Sequence, residues 1–502
     1  MDGDHNIKKN VSKMTSKVNE TYESTDMTHY STNNSRELCK QLKYFKEFLR
    51  DLTKDAVTNV VVGSADCRED VNVPCNGAEL RPLILTRNNN ETYAMSKTEM
   101  SAELIISIYQ WLHQKQCPEH FQIGLLELAK EEIGKELQNT KIQEDLIVSN
   151  SKQVETFPES CCFDLLKLQK FISQQMEKII VRLSDNSKEE NLKNIATCAR
   201  DPSFLCVESA GFRINPPYLE ACIKNKPRKM EDRHISLPQF SEIYQLEESL
   251  SFYGVFDGHS GSLAATYATT QIPYLVAQEL KKGNKSTAMD TDYYREALET
   301  SFLKVDSNFG KKQLGSGTTA VCVLLKRDVL GNFLHLYVAW VGDSRCLLVS
   351  PTVHLQLVKP HKPDSVDERR RIESTETCGS VIFVQGQWRV NGIINVSRSI
   401  GDYTVKAVIA EPDIVDVLLQ TAQDFILLGS DGLYDHVAEN EIVDCVYKSL
   451  LDDEQCLEDI PKHLIELAKQ GDSQDNITVI LVLLKDRQQI KENFLKYSKK
   501  SC

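Results

Sequence analysis

The chain has 502 residues, 41% hydrophobic and 26% charged, with a net charge of −13; that length predicts two domains plus a flexible end rather than one core. The acidic balance argues against broad nucleic-acid binding, which needs clustered positive charge, but suits divalent cations. No apolar run is long enough for a membrane span, and the fifteen cysteines include no Cys-x-x-Cys pair, so they read as reduced thiols of a cytoplasmic or nuclear protein without structural zinc.

Residues 1–35, rich in Ser, Thr, Asn and Lys, are predicted to be disordered, because they carry too little apolar surface to offset the entropy of ordering. The start, MDGDHNIKKN, lacks the apolar core of a secretory signal, and Asp2 excludes a myristoyl motif. From Leu38 an apolar stripe runs through Leu42, Phe45, Phe48, Leu49 and Leu52 at helical spacing. Comparable stripes cover 101–137 and 163–183, and an Asn-, Gly- and Pro-containing stretch at 70–95 interrupts them. Residues 36–200 are therefore expected to form a helical module whose stripes pack its own core.

Beyond residue 200 the texture changes to short β-rich runs: FYGVF, TTAVCVLL, FLHLYVAWV, FILLGS and ITVILVLL. They alternate with helical stretches at 262–281 and 440–450. That alternation predicts an α+β domain over 201–487, two sheets covered by helices, with its boundary at 195–205. Residues 488–502 read as a basic, solvated helix end, and the terminal KYSKKSC is no prenylation box.

Acids recur where these runs meet loops. SFYGVF ends in Asp257-Gly258 and FILLGS in Asp431-Gly432; Asp475-Asn476 precedes ITVILVLL, and Glu231-Asp232 precedes RHISLPQF. A lone Asp-Gly is ordinarily a turn. Acids at the ends of near-fully apolar, buried strands would instead repel one another without a cation. Hard oxygen ligands suit Mg²⁺ or Mn²⁺, and glycine lets a backbone carbonyl approach an ion. Two such ions would share a water, lower its pKa and clamp a phosphoryl transfer, with His259 placed to protonate the leaving group.

RKMEDRH (228–234), VFDGHSG (255–261), GSGTTAVCVLL (315–325), VAWVGDSR (338–345), PHKPD (360–364), ERRRIE (368–373), VNGIINVSRSIGD (390–402), EPDI (411–414), GSDGLYD (429–435) and SQDNITVILV (473–482) occur in order. Together they resemble the metal-dependent PP2C (PPM) protein phosphatases over about 205–486. PHKP, WRVNG, SRSIGD and the helical N-terminal extension look most like the calcium/calmodulin-dependent protein kinase phosphatase subgroup. The resemblance implies a β-sandwich of two antiparallel sheets flanked by helices, with two Mg²⁺ or Mn²⁺ ions between the sheets at one edge. Asp257 resembles the carboxylate bridging both ions, the Gly258 carbonyl a ligand to one, and Asp431 and Asp475 ligands to the other. Glu231 and Asp232 match acids that hold ion-bound waters, and His259 matches the general acid. Implied too are attack on phosphorus by an ion-bridging hydroxide without a phospho-enzyme, phosphoserine or phosphothreonine in proteins as substrate, protein kinases among the partners, and a docking role for the N-terminal module.

Three positions depart from the family pattern. Pro227 stands where many members carry a phosphate-binding arginine, which leaves Arg228, or Lys226, to take that role. Pro360 replaces the Asp before HKP that supports a third ion, leaving only Asp435 as a partial ligand, and Ser260 replaces the usual glycine after DGH. Two other readings compete. One is a catalytically silent scaffold of the same fold. The other is a cysteine-dependent phosphatase, for which Cys222 and Arg228 have the right spacing but Pro227 removes an N–H donor.

Overall fold

The computed structural model describes residues 43, 45–52, 91–147, 162–185, 216–283, 290–328, 332–374 and 376–498. Residues 1–35, most of 70–95 and the 195–205 boundary lie outside the described residues. The chain divides into two compact units that interleave in sequence, one from 1–70, 115–128 and 175–212, the other from 71–114, 129–174 and 213–502.

Helices carry the smaller unit. A helical stretch over 45–52 buries Phe45 and Leu49, the i and i+4 positions of the apolar stripe. Phe45 stacks on Phe121 with ring centroids 4.1 Å apart, and Met176, Ile179, Ile180 and Leu183 are buried at the same periodicity.

In the larger unit helix α1 (Lys97–Gln114) is buried along most of its length. Helices α2 (Glu119–Glu136), α3 (Thr140–Leu146) and α4 (Leu165–Asp185) follow in the chain. Two-residue strands β1 (Ala94–Met95) and β2 (Phe163–Asp164) pair antiparallel. A buried ion pair, Glu99 to Lys312 at 3.0 Å, ties α1 to the strand-rich part of the same unit.

That part is the two-sheet sandwich expected from the alternating runs. One sheet has the order β15-β9-β8-β5-β4, the other β11-β10-β16-β17-β3, and every pairing within them is antiparallel. The first contains β4 (Arg233–Leu237), β5 (Ser249–Phe256), β8 (Ala320–Arg327), β9 (Phe333–Val341) and β15 (Asp413–Leu418). The second contains β3 (Tyr218–Ile223), β10 (Arg345–Val349), β11 (His354–Gln356), β16 (Phe425–Gly429) and β17 (Ile477–Leu483). Between them Tyr253, Val255, Val321, Val323 and Val338 face Cys346, Leu348, Ile426, Leu428, Ile480 and Val482 in one apolar core. β5, β16 and β17 are buried almost throughout, as near-continuous apolar strands covered on both faces must be.

Helices α5 (Phe240–Tyr244), α6 (Leu263–Lys282) and α7 (Asp290–Gly310) precede β8, and α8 (Val366–Ile372) follows β11. Helices α9 (Asp431–Tyr434), α10 (Glu439–Leu451) and α11 (Ile460–Gln470) build a second apolar layer against β3, β16 and β17. Of the stretch 488–502, expected as a solvated helix end, the described residues belong to α12 (Arg487–Ser498), and the helix is docked. Ile490 is fully buried, Phe494 meets the Tyr447 ring, and Arg487 donates to the carbonyls of Ser449, Leu450 and Gln455. Ile490 and Phe494, four residues apart, lie on one face that the surrounding charges mask in sequence. Two small sheets complete the unit: the hairpin of β12 (Val381–Val384) and β13 (Gln387–Val390), and a three-stranded sheet in which β7 (Gly317–Thr318) lies between β14 (Ile400–Gly401) and β6 (Gly258–His259). Among the described residues no helix is long and apolar enough to cross a membrane.

Candidate metal centre

Three buried strands each hand over to an aspartate at the same edge of the sandwich. β5 runs directly into Asp257, β9 into Gly342-Asp343, and β16 through Ser430 into Asp431 at the start of α9. One carboxylate oxygen from each of Asp257, Asp343 and Asp431 lies within 4.8 Å of the other two; Asp343 is buried and its neighbours half-buried. The first two strands belong to one sheet and the third to the other, so the acids meet between the sheets.

Their electrostatics follow from that proximity. Burial, followed by repulsion from Asp431, Asp232, Asp343 and Asp475, holds the Asp257 carboxyl well above the usual carboxylate range. Asp431 is raised in the same way, by burial and then by Asp343, Asp475 and Asp435, with Lys362 opposing. Asp232, whose Oδ2 accepts from Thr478 Oγ1 at 2.7 Å, is pushed up to about 6, first by burial. Acids confined like this stay ionised together only when a cation sits among them. The donors are all carboxylate oxygens, with no thiol among them, which fits a hard divalent ion of the Mg²⁺ or Mn²⁺ type.

The other expected ligands take distinct places. Asp475 is exposed in the loop before β17 and outside the three-oxygen group, yet its charge acts on Asp232, Asp257 and Asp431. Half-buried Glu231 and buried Asp232 are held by the neighbour of Asp475: Asn476 Oδ1 accepts from their N–H groups at 2.7 and 3.4 Å. The Asn476 amide in turn donates to the carbonyls of Lys224 and Lys229, fastening the 224–232 loop to β17.

Gly258 has a second reason to be glycine beyond exposing its carbonyl. A Cβ there would run into the Glu231 carbonyl oxygen, and one on Gly432 into that of Asn476. Each Asp-Gly therefore marks a place where another backbone passes, a requirement invisible in the local sequence. Ser260, in place of the usual glycine, sits at φ +58°, the left-handed region that side chains disfavour.

His259, half-buried, presents Nε2 to Asp402 Oδ2 at 2.7 Å. Arg228 is exposed on the loop before Met230. Its neighbours are engaged elsewhere: Lys229 pairs with Glu91, and Arg233 donates to the carbonyls of Met230 and Asp232. Cys222 lies inside β3 opposite Thr478, in extended backbone that cannot wrap a phosphate, so the cysteine-dependent reading fails on geometry. Asp435 accepts from Arg345 at 2.9 Å.

Sequence reasoning gave no role to Asp343, Lys362 or Asp402. Lys362 pairs with Asp343 and lies 3.9 Å from Asp435; burial works against its charge, but Asp343, Asp435 and Asp431 raise its pKa above the ordinary value. His361 of the same motif accepts the Gly342 N–H at Nδ1, 3.1 Å away, bracing the turn that carries Asp343. The signal for Asp343 was available, since it too follows a buried apolar strand.

The family description Protein phosphatase 2C matches residues 220–477. Mouse Protein phosphatase 1E is 39% identical over 272 residues, covering 53% of this chain and 34% of that protein. Human Protein phosphatase 1F is 36% identical over 277 residues, 54% of this chain and 57% of that protein. The match thus spans about a third to just over half of these relatives. Probable protein phosphatase 2C 45 of Oryza sativa subsp. japonica is 34% identical over 235 residues, 46% of this chain and 76% of that protein. Among solved structures, that of a C. elegans sex determining protein superposes with a TM-score of 0.63 at 21% identity, covering 79% of this chain and 90% of the other. This likeness establishes the fold. The matched family, the antiparallel sandwich and the acids at its edge agree, and the chain belongs to the protein phosphatase 2C family.

Proposed function

We propose that the chain is a divalent-metal-dependent protein phosphatase that hydrolyses phosphoserine and phosphothreonine in protein substrates, protein kinases among them. The observation that carries this reading is the convergence of Asp257, Asp343 and Asp431 in a chain of this family. Asp257, Asp431 and Asp475, with the Gly258 carbonyl, would hold two Mg²⁺ or Mn²⁺ ions, and Asp343 adds a fourth carboxylate. Ions bound there supply a water acidified for direct attack on phosphorus and neutralise the phosphate's charge. Glu231 and Asp232, whose backbone is fixed by Asn476, would hold ion-bound water. His259 gives the proton that a poor leaving group needs as its P–O bond breaks. Arg228, exposed on the loop before Met230, is read as the phosphate anchor, and residues 36–200 are read as a docking module for substrate or partner.

The test is turnover of a phosphoserine peptide by the full chain after chelation, with Mn²⁺, with Mg²⁺ and with neither. Activity restored only by the ions and insensitive to thiol alkylation is expected. Turnover without metal, or none in any condition, would overturn the reading. Within it, His259→Ala should slow the phosphopeptide far more than an aryl phosphate, whose leaving group needs little protonation.

A further inference from the structure

The three-stranded sheet of β6 (Gly258–His259), β7 (Gly317–Thr318) and β14 (Ile400–Gly401) is too short to contribute a core. Its register has one consequence: Gly317 stands opposite His259 on one side and Gly401 on the other. The ring of His259 and the side chain of Asp402 thereby meet over Gly317. A Cβ on Gly317 would collide with both Asp402 Oδ2 and His259 Nε2. Hydrogen bonds hold Asp402 and the residues on either side of it. Ser399 Oγ donates to the same Oδ2 at 2.5 Å, Asp306 Oδ1 accepts the Gly401 N–H at 2.9 Å, and Tyr403 Oη donates to the Asp306 carbonyl at 2.6 Å. Asp402 itself adopts φ +54°, a strained conformation for a residue with a side chain, of the kind that persists where the surroundings demand it.

We propose that Asp402 is the positioning residue of His259: its carboxylate accepts the hydrogen bond from Nε2–H, fixing the ring's orientation and leaving Nδ1 as the nitrogen that serves the leaving oxygen. An ionised carboxylate only accepts, so the proton between the two belongs to Nε2. In the reaction Nδ1, protonated in the imidazolium while Nε2–H stays on Asp402, gives its proton to the departing alkoxide oxygen as the P–O bond breaks, and the ring is left as the neutral Nε2–H tautomer. This rests on the phosphatase reading for its kinetic consequence, but not for its structural one.

Two measurements on the full chain separate them. In ¹⁵N-histidine NMR spectra, His259, assigned by its loss in His259→Gln, should show the Nε2–H tautomer with a downfield-shifted proton. That signature should vanish in Asp402→Ala and weaken in Asp402→Asn, which keeps the shape and loses the charge. An Nδ1–H tautomer, or signals unchanged in both variants, overturns the inference whether or not the protein has activity. In turnover, Asp402→Ala should lose about tenfold or more in kcat on a phosphoserine peptide beyond its loss on an aryl phosphate, with KM held. Equal losses on the two substrates, or an effect confined to KM, overturn it. Should Asp402→Ala unfold, Asp402→Asn and Ser399→Ala carry the same comparison at smaller amplitude. A wild-type protein inactive under all metal conditions sinks the phosphatase reading, and the NMR outcome still decides this one.

Discussion

Asp257-Gly258 and Asp431-Gly432 look interchangeable in sequence: a buried apolar strand, an acid, a glycine. In the fold they share two features, an aspartate aimed at the common centre and a glycine pressed by a neighbouring backbone, Glu231 in one case and Asn476 in the other. They part at the next residue. After Gly258 the chain continues through His259 into the small sheet that brings Asp402 alongside. After Gly432 it is already in α9, with Leu433 and Tyr434 packed into the apolar layer. The difference teaches that one motif can supply the same ligand type twice while the element that follows decides whether a proton donor accompanies it.

The largest effect should come from breaking what the two ends share. Asp257→Asn and Asp431→Asn should each bring metal-dependent phosphopeptide turnover to background, because each removes one carboxylate of the centre. Either variant should also melt higher than wild type in chelator, since one repelling charge is gone. Metal-dependent activity retained in one variant and lost in the other would make the two ends unequal as ligands.

A pH dependence follows from Asp232. Its folded pKa of about 6 lies above the ordinary 3.8, so the folded state binds its proton more tightly than the unfolded chain does. The resulting stability is present at low pH and is lost as pH rises from about 4 through about 6, by roughly 3 kcal/mol at most for a shift of that size. Thermal melts of chelated protein should therefore fall across this window, less steeply in Asp232→Asn, and Mn²⁺ should flatten the wild-type curve. An identical slope in the variant would assign the dependence to other groups.

Gly258→Ala and Gly432→Ala each force a Cβ against a backbone carbonyl and should cost about 1–3 kcal/mol in denaturant melts. A neutral result at either position would mean that its loop yields. The smallest effect is expected where the two ends differ. Ser260→Gly, at φ +58°, should stabilise by up to about 1 kcal/mol, the relief of left-handed strain being partly offset by the added freedom of the unfolded chain.

Much of the centre was legible because the strands that deliver it are buried on both faces, and such strands read as unbroken apolar runs. An acid at the end of SFYGVF or FILLGS therefore stands out, and the helical stripes of 101–137 and 163–183 were equally plain. Asp343 was within reach of the same argument, since FLHLYVAWV ends two residues before it. Asp402 was not. It stands 143 positions from His259 in the chain, and SRSIGD carries no apolar run to mark its end as a site.

By itself, then, the sequence determined the two-sheet architecture, the helical segments before it and the acids at four junctions of strand and loop, because burial writes periodicity and continuity into local composition. Which acids share one centre, which backbone each glycine must clear and which carboxylate holds the histidine were decided only by the packing of sheets and loops. Those relations depend on distances between segments far apart in the chain, and no local composition records them.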